Sequence, residues 1–168
     1  IINSLICGVD AGDQGSIDQA LILADGSVDK SYLGANALLG VSLSVAHANA
    51  KSCSKPLYAN ISKDPATTLP VPMINIINGG EHANNKIDIQ EFMIMPISAN
   101  SISEACQMGS EVYHALKKEI NRLGLSTAVG DEGGFAPDLK STHQALDIIV
   151  VAVNQTGLIP GEDIYLAL

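Results

Sequence analysis

The stretch Val71 to Pro96, VPMINIINGGEHANNKIDIQEFMIMP, constrains this chain more than any other. Two apolar runs, Val71 to Ile77 and Ile87 to Met95, flank a polar loop that holds Gly79, Gly80 and His82, a pattern that predicts a β-hairpin. Glu91 interrupts the second run. Ile89, Met93 and Met95 share its strand parity, which favours a buried face over a solvent-facing edge. A buried acid needs a partner, and a functional site supplies one. Gln90 has the opposite parity, so a regular strand could not aim Gln90 and Glu91 at one ligand. Either the strand end bends or Gln90 acts through another face.

A second segment carries chemistry-bearing residues between glycines: AVGDEGGFAP, Ala128 to Pro137. Its glycines let backbone approach a ligand, and Asp131 and Glu132 offer a metal ligand or a proton donor. Taken alone, D-E-G-G is a weak signal, and a solvated turn is the better reading of it. It lacks the Lys-Ser/Thr ending of a phosphate-cradling P-loop, and the spacing of Gly8, Gly12 and Gly15 is not the dinucleotide fingerprint.

Around these segments the pattern alternates between helices and turns. Ser16 to Gln19 (SIDQ) predicts a capping box opening a short helix to about Leu23, followed by an Asp25-Gly26 turn. Leu33 to Lys51 predicts a closely packed helix through Leu38, Val41, Val45 and Ala48. Asp64 to Pro70 has the composition of a linker, which places a domain boundary near Leu69 and gives domains of 1–68 and 69–168. Ser101 to Glu104 opens an amphipathic helix over about 102–123 that stops at Gly124, with Lys117, Lys118 and Arg122 near its C-terminal dipole. Ser141 to Gln144 opens another, with Leu146, Ile149, Val150 and Val153 on one face and Gly157 beyond its end. Asp163 to Leu168 reads as a buried strand with nothing to complete its sheet.

Eighteen acids against nine Lys and Arg give a net charge of -9. That balance argues against a nucleic-acid partner and calls for a metal between the protein and any anionic substrate. Cys7, Cys53 and Cys106 lack metal or redox spacing, so a reducing compartment and a cytoplasmic location are expected. No apolar run approaches the roughly 20 residues that span a bilayer. The N-terminus has neither an initiator Met nor the features of a signal peptide, so the chain is expected to begin partway through a larger protein.

The blocks LGANALLGVSLSVAHA, KPLYANI, LPVPMINIINGGEHANNKIDIQEFMIMP, GSEVYHALK and TAVGDEGGFAP, in this order, closely resemble the enolase family. The resemblance implies an α/β protein in which part of an α+β N-terminal domain precedes the β-β-α-α-β opening of a barrel. It implies a lyase, phosphopyruvate hydratase, that interconverts 2-phosphoglycerate and phosphoenolpyruvate in glycolysis and gluconeogenesis. By resemblance, Glu132 matches the proton donor, Glu91 its companion carboxylate, His82 the mobile-loop histidine and Gln90 a substrate-binding amide. Neighbouring carboxylates resist simultaneous ionisation, which would help one of the pair keep its proton.

Two Mg²⁺ ions are the implied cofactors, stabilising the charge that builds on the substrate carboxylate. Their ligands match nothing in this chain. The resemblance places a metal-binding Ser before Ile1, and three acidic ligands and a Lys base after Leu168, so the 168-residue piece is expected to be inactive alone. A homodimer is implied for the parent, and a secondary cell-surface or secreted pool beside the cytoplasmic one. A related superfamily lyase or racemase and a noncatalytic surface-binding role are the alternatives.

Overall fold

The computed structural model describes residues 1–62, 65, 68–83 and 85–168. Of the expected linker, Asp64, Ala66 and Thr67 lie outside the described residues. The chain divides into two compact units, Ile1–Thr68 and Leu69–Leu168.

The first unit is helical: α1 (Ile2–Ile6), α2 (Gln14–Asp25), α3 (Ala35–Ser52) and α4 (Leu57–Ile61). Helix α2 starts earlier than the SIDQ pattern predicts. Its N-cap is Asp13, whose carboxylate accepts from the Ser16 N–H at 3.2 Å. An aspartate three residues upstream reaches that N–H first, so Ser16 lies inside the helix. Gly26 ends the helix in the left-handed conformation, φ 68°, as the Asp-Gly turn requires. Asp25 is buried there and accepts from the N–H groups of Ser27 and Leu33. Ile17, Leu21 and Leu38 form the core of this unit. Helix α3 is less closely packed than expected: Ala48 is exposed, as are Leu39 and Leu43.

The second unit is built on a three-stranded antiparallel sheet of order β1-β2-β3, with β1 Ile74–Asn78, β2 Glu91–Pro96 and β3 Ile164–Ala167. Helices α5 (Ile102–Arg122) and α6 (Thr142–Gln155) separate β2 from β3. The expected hairpin exists, but its second strand begins at Glu91 rather than Ile87. A register shift between Asn75 and Ile77 breaks the alternation of β1, so Ile76, Ile77 and Asn78 are all buried. In β2 the fully buried face is Phe92, Ile94 and Pro96. Glu91, Met93 and Met95 share a half-buried face, which corrects the parity argument: the two runs bury the other side against the helices.

Both helices are capped as their sequences predict. Ser101 accepts from Glu104 N–H and Ser141 from Gln144 N–H, while Glu104 and Gln144 reach back to the N–H groups of Asn100 and Lys140. The buried face of α6 is Ala145, Ile148, Ile149, Ala152 and Val153, rotated from the expected stripe because Leu146 and Val150 are only half-buried. Gly109 seats α5 against β1, since a Cβ there would strike the Ile74 side chain. The core joins Ile76, Phe92 and Ile94 of the sheet to Val112, Leu116 and Ile120 of α5 and to Ile149 and Val153 of α6. Each such side chain contributes about 1.5–3 kcal/mol by leaving water. Strand β3 completes this small sheet through β2, contrary to the expectation that it would lack a sheet, and only Ile164 is fully buried. No described helix is long and apolar enough to cross a membrane.

Candidate functional site

The turn after β1 is compressed onto the chain that leads into β2. Gly79 N–H donates to Gln90 C=O at 2.9 Å and Gly80 N–H to Ile87 C=O at 2.7 Å. A Cβ on Gly79 would collide with the Ile89 carbonyl, and Gly80 adopts a positive φ of 52°. One turn of 3₁₀-helix, Gly80–His82, then presents the His82 ring beside Gln90 and Glu91. Gln90 precedes the regular strand, and its amide meets His82 Nε2 at 2.6 Å. Glu91, the first residue of β2, places Oε1 3.9 Å from His82 Nδ1. The opposite parities of Gln90 and Glu91 are thereby reconciled, because the chain bends at the strand end.

The Gly-rich loop arrives from the other side, tied to β1 by backbone. Phe135 N–H donates to Ile76 C=O at 2.9 Å, and Asn78 N–H to Phe135 C=O at 2.8 Å. Gly133 takes a positive φ of 83°, and its N–H closes the turn onto Gly130 C=O. The turn carries Glu132 to within 3.6 Å of His82 Nδ1 through Oε2, where the Asn75 amide also donates to it at 3.2 Å. His82 thus stands between two carboxylates drawn from distant parts of the sequence. Glu132 keeps nearly half of its side-chain surface exposed, and His82 about a fifth.

Four residues that sequence reasoning did not single out hold this arrangement. Asn75 orients Glu132. Tyr113, on α5, donates its hydroxyl to Gly133 C=O at 2.9 Å and stacks on Phe135 with ring centroids 4.2 Å apart. Burial raises its phenol above the usual range. Asn78 is fully buried between the loop's glycines, where a Cβ on Gly130 or Gly134 would strike its amide. Among the described residues neither of its amide atoms has a hydrogen-bond partner. Asn85 Nδ2 donates to Asn78 C=O at 2.9 Å and Pro137 C=O at 3.3 Å, joining the hairpin loop to the Gly-rich loop. The available signal was that Asn75 and Asn78 are polar interruptions of an apolar strand; Tyr113 gave none beyond its place on an amphipathic helix.

All four expected site residues, Glu132, Glu91, His82 and Gln90, come together. Asp131 is exposed and takes no part in the cluster. Among the described residues, His82, Glu91 and Glu132 each offer a ligand atom within 4.8 Å of the others. Magnesium demands an octahedral set of oxygen ligands, and an imidazole nitrogen with two carboxylates does not fit that demand. These residues do not make a magnesium cage.

Comparison with known families gives two matches that divide the chain between them. Residues 1–61 match the enolase N-terminal domain. Residues 66–168 match the enolase C-terminal TIM barrel domain.

Proposed function

The chain belongs to the enolase family, a family of lyases, and from that premise we propose that it serves the reversible dehydration of 2-phosphoglycerate to phosphoenolpyruvate. The observation that carries this reading is the convergence of Glu132 and Glu91 on His82, at 3.6 and 3.9 Å. Hydroxide is a poor leaving group, so elimination needs a proton delivered to the departing oxygen. Glu132 is the general acid in this reading: it lies on a turn open to ligand, with Asn75 fixing its direction. Glu91 is its companion carboxylate. His82 and Gln90, bonded to each other, contact the substrate from the hairpin loop.

The reading extends to the domains and setting of the protein. Residues 1–68 would belong to the N-terminal domain and 69–168 to the barrel. The Lys base and the ligands of two Mg²⁺ ions would be supplied by residues outside this set, in a cytoplasmic homodimer with a secondary surface pool. Glu132→Gln in the full-length protein tests the acid assignment. Water elimination should fall by roughly 10²–10⁴-fold while proton exchange at C2 of 2-phosphoglycerate persists. Elimination at the original rate would remove Glu132 from the mechanism.

A further inference from the structure

His82 and Glu132 ride on two different loops, so their approach to 3.6 Å depends on whatever fixes one loop against the other. Packing brings the loops together: a Cβ on Gly130 would strike the His82 carbonyl as well as the Asn78 amide. Close packing sets a separation, whereas hydrogen bonds of defined direction fix a register. Asn85 supplies such bonds. Its Nδ2 donates to the carbonyl of Asn78, the last residue of β1, at 2.9 Å, and to that of Pro137, which closes the Gly-rich loop, at 3.3 Å. We infer that Asn85 is a positioning residue, which locks the hairpin loop to the Gly-rich loop and so holds the His82 imidazole against the Glu132 carboxylate.

The chemistry of the carboxamide explains why an asparagine stands at this position. The place calls for two N–H donors and one acceptor on a short stem. Ile87 N–H donates to Asn85 Oδ1 at 3.2 Å, closing an Asx turn that sets the direction of the amide, and Nδ2 then faces both carbonyls. Aspartate has the same shape without a donor, and leucine has neither donor nor acceptor. Asn78 and Pro137 are buried, so water is a poor substitute for the Asn85 amide at their carbonyls. Gly80 N–H donates to Ile87 C=O across the base of the same loop, so a shift at Asn85 carries to His82. The contact of His82 with Gln90 is made within the hairpin and does not pass through Asn85. A supporting residue of this kind holds an acting side chain in register without touching the reacting atoms. The positional role stands on these hydrogen bonds, while its effect on turnover rests on the lyase reading.

The test compares Asn85→Leu and Asn85→Asp with the unsubstituted full-length protein, each with and without Glu132→Gln. Long-range ¹H–¹⁵N spectra follow the ring nitrogens of His82. Glu132→Gln alone should shift those signals, and the response should vanish once Asn85 is replaced. Elimination of water from 2-phosphoglycerate should fall roughly 10–100-fold in either Asn85 variant. In the Glu132→Gln background the same replacement should cost less than about threefold, because the group it positions is already gone. A residue that only stabilised the fold would cost the same in both backgrounds. A His82 ring that ignores Glu132→Gln, a ring response equal with and without Asn85, or an elimination loss equal in both backgrounds would overturn the inference. If Glu132→Gln eliminates water at the original rate, the lyase assignment of Glu132 falls, and the ring response alone decides the positional role. Where both Asn85 variants misfold, hydrogen exchange in the unsubstituted protein decides. The Asn85 side-chain N–H groups should exchange more slowly than those of exposed Asn121 and Asn154, and equal rates would overturn the inference.

Discussion

At the scale of single residues, the position of Glu132 is set by neighbours on β1 and α5. Tyr113 donates to the carbonyl of the next residue, Gly133, and its ring supports Phe135. Tyr113→Phe keeps the stack and removes the hydrogen bond, so urea denaturation should show a loss of about 1 kcal/mol. The phenol's raised pKa gives a second reading. A group whose folded pKa exceeds its unfolded value contributes stability that is fully present below the unfolded pKa, about 10 for tyrosine. That contribution declines as pH rises from there through the folded value, and the alkaline decline should be absent from the Phe variant. The clustering of Glu132, Glu91, His82 and Gln90 was legible because polar groups in an apolar hairpin and beside glycines stand out and fall in the blocks that carry the family resemblance. Tyr113 was not, because a half-buried aromatic on a helix is ordinary until the loop it holds is seen.

At the scale of elements, the capping residues of α5 and α6 were readable because an N-cap is a local arrangement of Ser, Glu and Gln. The start of α2 differs from the pattern where Asp13 competes with Ser16, a choice between two good caps three residues apart. The burial of Glu119 was also hidden. It lies on the apolar side of α5, bonded to Arg122 at 2.6 and 2.9 Å and to Gln155 of α6 at 3.4 Å. The Arg122 guanidinium holds its carboxyl below the usual range against the opposing effect of burial. A depressed folded pKa gives stability that is present above the unfolded value, about 4.3 for glutamate, and lost as pH falls through the folded one. Acid titration of thermal unfolding should therefore show a decline starting near that pH. Glu119→Gln should flatten its acidic limb, and an unchanged limb would separate the α5–α6 contact from the acid response.

At the scale of the whole molecule, two units carry unequal cores. The first rests on Ile17, Leu21 and Leu38 and leaves Leu23, Leu39 and Leu43 exposed, while the second joins its sheet, two helices and the Gly-rich loop in one cluster. A composition 46% hydrophobic and only 4% aromatic calls for aliphatic cores without saying how they are shared, because burial depends on which faces the topology brings together. The buried, unpartnered amide of Asn78 gives the second unit a hidden reserve. An unpaired buried amide costs about 1–3 kcal/mol, and an apolar side chain of similar shape avoids that cost. Asn78→Leu should raise the melting transition of residues 69–168 by about 4–8 °C per kcal/mol recovered, read by calorimetry. A laboratory selection for heat tolerance alone would then drift toward apolar residues at position 78, and hardier survivors would trade away the polar seam beneath the loop that carries Glu132.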